Sequence, residues 1–124
     1  MTIQECYRAL GGNFSEVSRR LPSLSLIEKF AVKFLDDKSY EELCSKMEVG
    51  NRPEAFRAAH TLKGVCANLG FDCLLASAEA LTEVLRPEVG TIPAEAVPLM
   101  EDVKRDYEMT VSAIRAYIKA KEEG

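Results

Sequence analysis

Apolar and polar positions recur with the period of an α-helix in every long segment of this chain, and the breaks between segments carry caps and turn residues instead of hairpin signals. TIQE (2–5), SLIE (25–28), SYEE (39–42) and NRPE (51–54) each set Ser, Thr or Asn three residues before Glu, the spacing of a capping box or its Asn analogue. Gly11-Gly12, Pro22, DDKS (36–39), Gly50-Asn51, Gly70 and RPEVGTIP (86–93) punctuate the pattern. Helices are therefore predicted over about 2–10, 23–36, 39–48, 52–69, 71–86 and 95–121, with a short helical turn near 14–20. Pro98 belongs in the first turn of the last helix, where its missing N–H is tolerated. The expected fold is all-α, a single domain over 1–124. Its long helices pack as an antiparallel four-helix bundle (about 23–121), with Tyr40, Leu43 and Met47 continuing the second element and an N-terminal helical cap over about 1–20.

The helix over 52–69 has two unlike faces. At about 100° per residue, Ala55, Ala58, Ala59, Leu62, Val65, Cys66 and Leu69 fall within about 60° of Leu62 and form the core stripe. His60, the only histidine, points about 160° away from Leu62, beside Gly64, Ala67 and Arg57, with Lys63 and Phe56 on one flank and Asn68 on the other. A histidine facing water is ordinary, and so is a lysine one turn away. Three neighbours change the picture. Gly64 costs roughly 1 kcal/mol relative to Ala in a helix interior, yet lies one turn from the imidazole, where a side chain would crowd it. Ala67 keeps the next position small. Phe56 places a large apolar group on an otherwise polar side, which predicts an exposed contact patch.

Composition narrows the chemistry. The formal charge of −4, from 16 basic and 20 acidic residues, speaks against nucleic-acid binding, and the adjacent pair Arg19-Arg20 fits a solvated helix end. No run of about 18 apolar residues and no secretory leader is present, which predicts a cytoplasmic protein that does not enter a membrane. Cys6, Cys44, Cys66 and Cys73 lack the close pairing of zinc sites and are expected as reduced core thiols. A metal site is not expected, because His60 and Cys66 project about 120° apart on one helix and no other ligand set converges. His60 also has no orienting carboxylate at helical spacing, and no serine elbow or Cys-His motif occurs, so an autonomous enzyme is not expected. What remains is an exposed imidazole acting as a nucleophile towards phosphorus, with its chemistry completed by a partner.

With these residues in place, AAHTLKGVCANLG (58–70) resembles the signature of histidine-containing phosphotransfer (HPt) domains of bacterial two-component phosphorelays, a His-x-Leu-Lys-Gly run followed by Leu-Gly. His60, Leu62, Lys63, Gly64, Leu69 and Gly70 match it. LIEKFAVKFLDDKSYEEL (26–43) is similar to the helices that precede the motif in that family, and FDCLLASAEALTEVLR (71–86) to the one that follows. The departure is Leu81-Thr82 where the family often has Leu-Glu, with Glu83 one place later.

The resemblance implies that His60 accepts a phosphoryl group, on Nε2, from a receiver aspartate or a histidine kinase and passes it to a response-regulator receiver domain. Lys63 would balance the charge, Gly64 would leave room for the partner, and Gly70 would be a left-handed cap with Phe71 packing across the turn. Docking is expected over Phe56, Arg57, Gly64, Ala67 and Asn68, as a small transient interface. The protein would be a monomeric phosphocarrier with no cofactor of its own, Mg²⁺ being held by the receiver. Two rivals are a helical interaction module that keeps the motif without using it, which the costly Gly64 disfavours, and the phosphoacceptor part of a chemotaxis-type kinase. Met1 and the charged C-terminal end favour a complete small protein over an excised fragment.

Overall fold

A computed structural model describes residues 1–124. Its helices are α1 (Ile3–Leu10), α2 (Phe14–Arg20), α3 (Leu24–Lys33), a 3₁₀ turn (Phe34–Asp36), α4 (Ser39–Glu48), α5 (Arg52–Leu69), α6 (Asp72–Leu85) and α7 (Ala96–Glu123), with no strand. All the predicted helices form, the short one near 14–20 included, and Pro98 lies in the first turn of α7. α3, the 3₁₀ turn and α4 act as one interrupted leg that runs antiparallel to α5. α6 packs against both α5 and α7, and α7 returns beside the first leg. Phe34 and Tyr40 close this ring on Tyr107, with Tyr40 stacked on it at 3.6 Å between centroids. The result is the expected antiparallel bundle.

Caps fix the helix ends, though two of the four predicted boxes move. Thr2 and Glu5 form the reciprocal box of α1, with Thr2 N–H donating to Glu5 Oε1 at 2.7 Å and Glu5 N–H to Thr2 Oγ1 at 3.1 Å. Asn51 Oδ1 accepts from Glu54 N–H at 3.1 Å and starts α5, with Pro53 in the first turn. α3 is capped by Ser23, whose Oγ accepts from Leu26 N–H at 3.2 Å, rather than by Ser25. α4 begins at Ser39 itself, and its N–H is taken by Asp37 Oδ1 at 2.9 Å. In both cases the box spacing is present, but the chain turns into the helix a residue or two earlier.

The core runs through all these elements. Leu62, Cys66, Phe71, Leu74, Leu81, Leu85, Val103 and Ile114 are fully buried, and Phe71 sits between Tyr7 and Phe34 at 5.6 and 5.2 Å. Thr82 is fully buried too, its hydroxyl donating to Ala78 O at 2.6 Å, so this position has no room for the solvated carboxylate that the resemblance led one to look for. Burial pushes the Cys6 thiol up to about 11 and raises that of Cys66 further, as expected of core thiols. Two cysteines depart from the prediction. Cys44 is half-buried, and Cys73 is exposed, because it follows directly on Asp72 at the solvent-facing start of α6.

The N-terminal cap has a definite task at the end of α5. A helix leaves its last four carbonyls without intrahelical partners. In α5 all four are satisfied. Cys66 O and Ala67 O accept from the N–H groups of Phe71 (3.0 Å) and Gly70 (3.4 Å), a Schellman turn with Gly70 at φ 70°. Arg20 reaches from the end of α2 to donate to Ala67 O (2.9 Å) and Asn68 O (3.1 Å), and Tyr7 OH donates to Leu69 O (2.7 Å). Arg20 is thus a C-cap for α5 and not merely part of a solvated helix end.

Gly70 is required twice. Its φ is left-handed, and an added Cβ would lie 2.9 Å from Asn13 O, which belongs to the backbone that hydrogen-bonds back to Gly70 O. Gly70→Ala is expected to lower stability by about 2 kcal/mol, read from urea unfolding, because the left-handed conformation alone costs a non-glycine residue roughly 1–2 kcal/mol. An unchanged midpoint would show that the turn relaxes without cost.

Candidate functional site

α5 presents His60 at the middle of its outer face. Towards the core it buries Ala55, Ala59, Leu62 and Cys66 completely, while Arg57, His60, Thr61, Gly64, Ala67 and Asn68 are exposed. The wheel therefore places the histidine and its small neighbours correctly. A Cβ built on Gly64 meets nothing within 4 Å. The glycine thus serves no close approach inside this fold, and the space it leaves opens outward, one turn from the imidazole.

Phe56 corrects the prediction. It is 8% exposed and belongs to the core, not to an exposed patch. Its direction on the wheel, about 120° from the stripe, is the flank that α6 covers. There the guanidinium of Arg86 lies 4.9 Å above the ring centroid, on the C-terminal end of α6. The ring remains next to His60, with centroids 5.9 Å apart and planes tilted by 34°, so it walls one side of the imidazole from below.

The same flank holds the charges around the site. Lys63 is only 28% exposed at its side chain, its stem lying along the α5–α6 seam, and its ammonium is 3.9 Å from Glu79 Oε2 on α6. Arg86 Nε donates to Glu83 Oε2 at 3.1 Å, and Arg57 pairs with Glu54 within α5. Glu79, Glu83 and Arg86 are the residues that sequence reasoning missed. They recur at helical spacing on one side of α6, a charged stripe visible in the sequence, but nothing in the sequence states which stripe of α6 meets which stripe of α5.

On the opposite flank, beyond Asn68, the surface dips into a groove of about 490 Å³ between α3, the 3₁₀ turn and α5. Leu21, Phe30, Phe34, Val65 and Leu69 line it, and Phe30 is 38% exposed. The apolar surface near the site is thus on the α3 side, reached along Val65 and Asn68, and not at Phe56. No helix of the protein is long and apolar enough to cross a membrane.

Comparison with known proteins adds the family. No curated protein and no solved structure matches the chain. The family model described as Hpt domain does match, over residues 31–119, a span that holds the end of α3, the 3₁₀ turn, all of α4, α5 and α6, and most of α7. An all-helical bundle that carries His60 on an open helix face, together with this match, places the chain in the Hpt domain family, whose members are phosphocarriers of phosphorelays.

Proposed function

We propose that the chain carries phosphoryl groups on His60, taking each from a receiver aspartate or a histidine kinase and handing it to a response-regulator receiver domain. The observation that carries this reading is the pairing of an exposed imidazole with the unfilled space at Gly64. In the transfer, the lone pair of neutral His60 Nε2 forms the N–P bond as the P–O bond to the donor aspartate breaks, and the carboxylate leaves with the electron pair. The Nδ1 proton stays in place, so the phosphorylated ring is cationic and is a good leaving group for the return step. Lys63 offsets charge on the phosphoryl oxygens. The chain supplies no cofactor; Mg²⁺ comes with the receiver, and the phosphocarrier works as a monomer.

Arg57, Thr61, Gly64, Ala67 and Asn68 form the approach, and the groove beyond Asn68 supplies the apolar part of the docking face that Phe56 does not. The receiver domain is its occupant, because the groove is continuous with the face on which His60 must be met. Phe30→Ser is accordingly expected to weaken binding of a receiver by about 1 kcal/mol, measured by titration calorimetry, with little change in melting temperature. Phe56→Ala should act in the opposite sense, on stability rather than on binding. Equal receiver affinity for Phe30→Ser and wild type would remove the groove from the interface.

The reading is tested by incubating the protein with a phosphorylated receiver domain and Mg²⁺ and following the label. Acid-labile, base-stable label on the chain is expected. A wild-type chain that gains none from any receiver or kinase partner overturns it.

A further inference from the structure

We propose that Glu79 is a positioning residue that competes with the phosphoryl group for Lys63, and so sets how strongly phosphohistidine is favoured at His60. This rests on the phosphocarrier reading above. Lys63 and Glu79 face each other across the α5–α6 seam with Nζ and Oε2 3.9 Å apart, at the long end of ion-pair range. At that separation the pair neutralises charge without a locked hydrogen bond, so the ammonium is free to exchange partners. The other charges on this flank are otherwise engaged: Glu83 with Arg86 on α6, and Glu54 with Arg57 on α5. Glu79 is therefore the carboxylate that holds Lys63 while His60 is bare.

Phosphorylation changes the balance. A phosphoryl group near pH 7 carries about −1.5 to −2 charges and three acceptor oxygens, against the single charge of Glu79. Lys63 lies one turn from His60, and its partly buried stem limits the arc its ammonium sweeps. Pairing with the phosphoryl group then means leaving Glu79, whose freed carboxylate repels the same phosphoryl oxygens. Both effects disfavour phosphohistidine. Glu79 thereby keeps the phosphoryl group loosely held, which suits a carrier that must give it up.

The test uses phosphoramidate, a small-molecule phosphoryl donor to imidazole, and phosphorus NMR of the labelled chain, so that no receiver is required. Glu79→Gln is expected to lower the titration midpoint of the His60 phosphoryl group by about half a pH unit, through loss of a neighbouring anion and release of Lys63. Glu79→Asp should stay near wild type, and Lys63→Met should raise the midpoint. In the Lys63→Met background, Glu79→Gln should move it less than half as far. With a receiver that exchanges phosphate, Glu79→Gln should also shift the equilibrium about two- to fivefold towards phosphohistidine. A midpoint that is unmoved or raised by Glu79→Gln, or an equal shift with Lys63 absent, overturns the role of Glu79 while leaving the acceptor intact. Failure of any phosphohistidine signal to appear on the wild-type chain is a different outcome, and overturns the His60 reading itself.

Discussion

His60→Gln should fold as the parent does and take up no phosphoryl label. The ring is exposed on the outer face of α5, at the level where the inner face is closed by Leu62 and Ala59, so its replacement opens no cavity. A surface substitution of this kind moves stability by no more than about 0.5 kcal/mol. Glutamine keeps comparable length and stays compatible with a helix. What it lacks is a nucleophilic nitrogen, since its amide lone pair is delocalised into the carbonyl. Circular dichroism melting should therefore superimpose on wild type, while label from a phosphorylated receiver falls to background. Label at the wild-type level would move the acceptor elsewhere. No second histidine exists to receive it, so such label would be on a different kind of side chain, a lysine nitrogen or a hydroxyl oxygen, which phosphoamino-acid analysis would separate from phosphohistidine.

The expectation that stability survives at His60 but not at Gly70 shows how differently two motif residues are used. Both are specified by the same short stretch. Gly70 is held by φ 70° and by the Asn13 backbone, and its role is internal to the fold. Periodicity marks Gly70 as a break after an apolar run, and the resemblance implies its left-handed cap, a local event that the neighbouring residues suffice to form. The core stripe of α5 was legible for a similar reason. Its direction depends only on the helical repeat, and Ala55, Ala59, Leu62 and Cys66 are all buried.

What the sequence leaves out is the register between helices. Phe56 lies too far from the stripe to count as core on a wheel, yet α6 covers that flank and Arg86 closes over the ring. A wheel reports the direction of a Cα–Cβ bond, and a long side chain on the edge of the stripe goes wherever the neighbouring helix allows. Lys63 occupies the same flank, and its partner Glu79 could be named only once the antiparallel pairing of α5 and α6 was known. The caps of α3 and α4 fail in a milder way. A Ser or Thr three residues before Glu marks a helix start, but the residue that leaves the helix is decided by the incoming chain, here by Ser23 and by Asp37. Arg20 needed the meeting of α2 with the far end of α5, which is tertiary information altogether.

Gly64→Gln should make the protein more stable and a poorer carrier. Mid-helix glycine is unfavourable by roughly 1 kcal/mol, and ordinarily such a residue persists because a neighbouring helix packs against it. That explanation fails here, since a Cβ at Gly64 would meet nothing within 4 Å. Every term inside the fold thus favours a side chain, and urea unfolding should show Gly64→Ala stabilised by about 1 kcal/mol and Gly64→Gln by a similar amount. The opposing term must come from outside the chain. In-line transfer requires a donor aspartate, its phosphoryl group and the imidazole nitrogen to align closely, and misplacement by about 1 Å costs on the order of 10²-fold in rate. A glutamine one turn from His60 projects into that approach, whereas the methyl of alanine fills much less of it. Single-turnover transfer from a phosphorylated receiver should therefore slow by about 10²-fold for Gly64→Gln and by much less for Gly64→Ala, with phosphoramidate labelling, whose donor is small, nearly unaffected in both. If both donors slow together, the side chain disturbs the imidazole itself. If neither slows, the space at Gly64 is not where the partner sits.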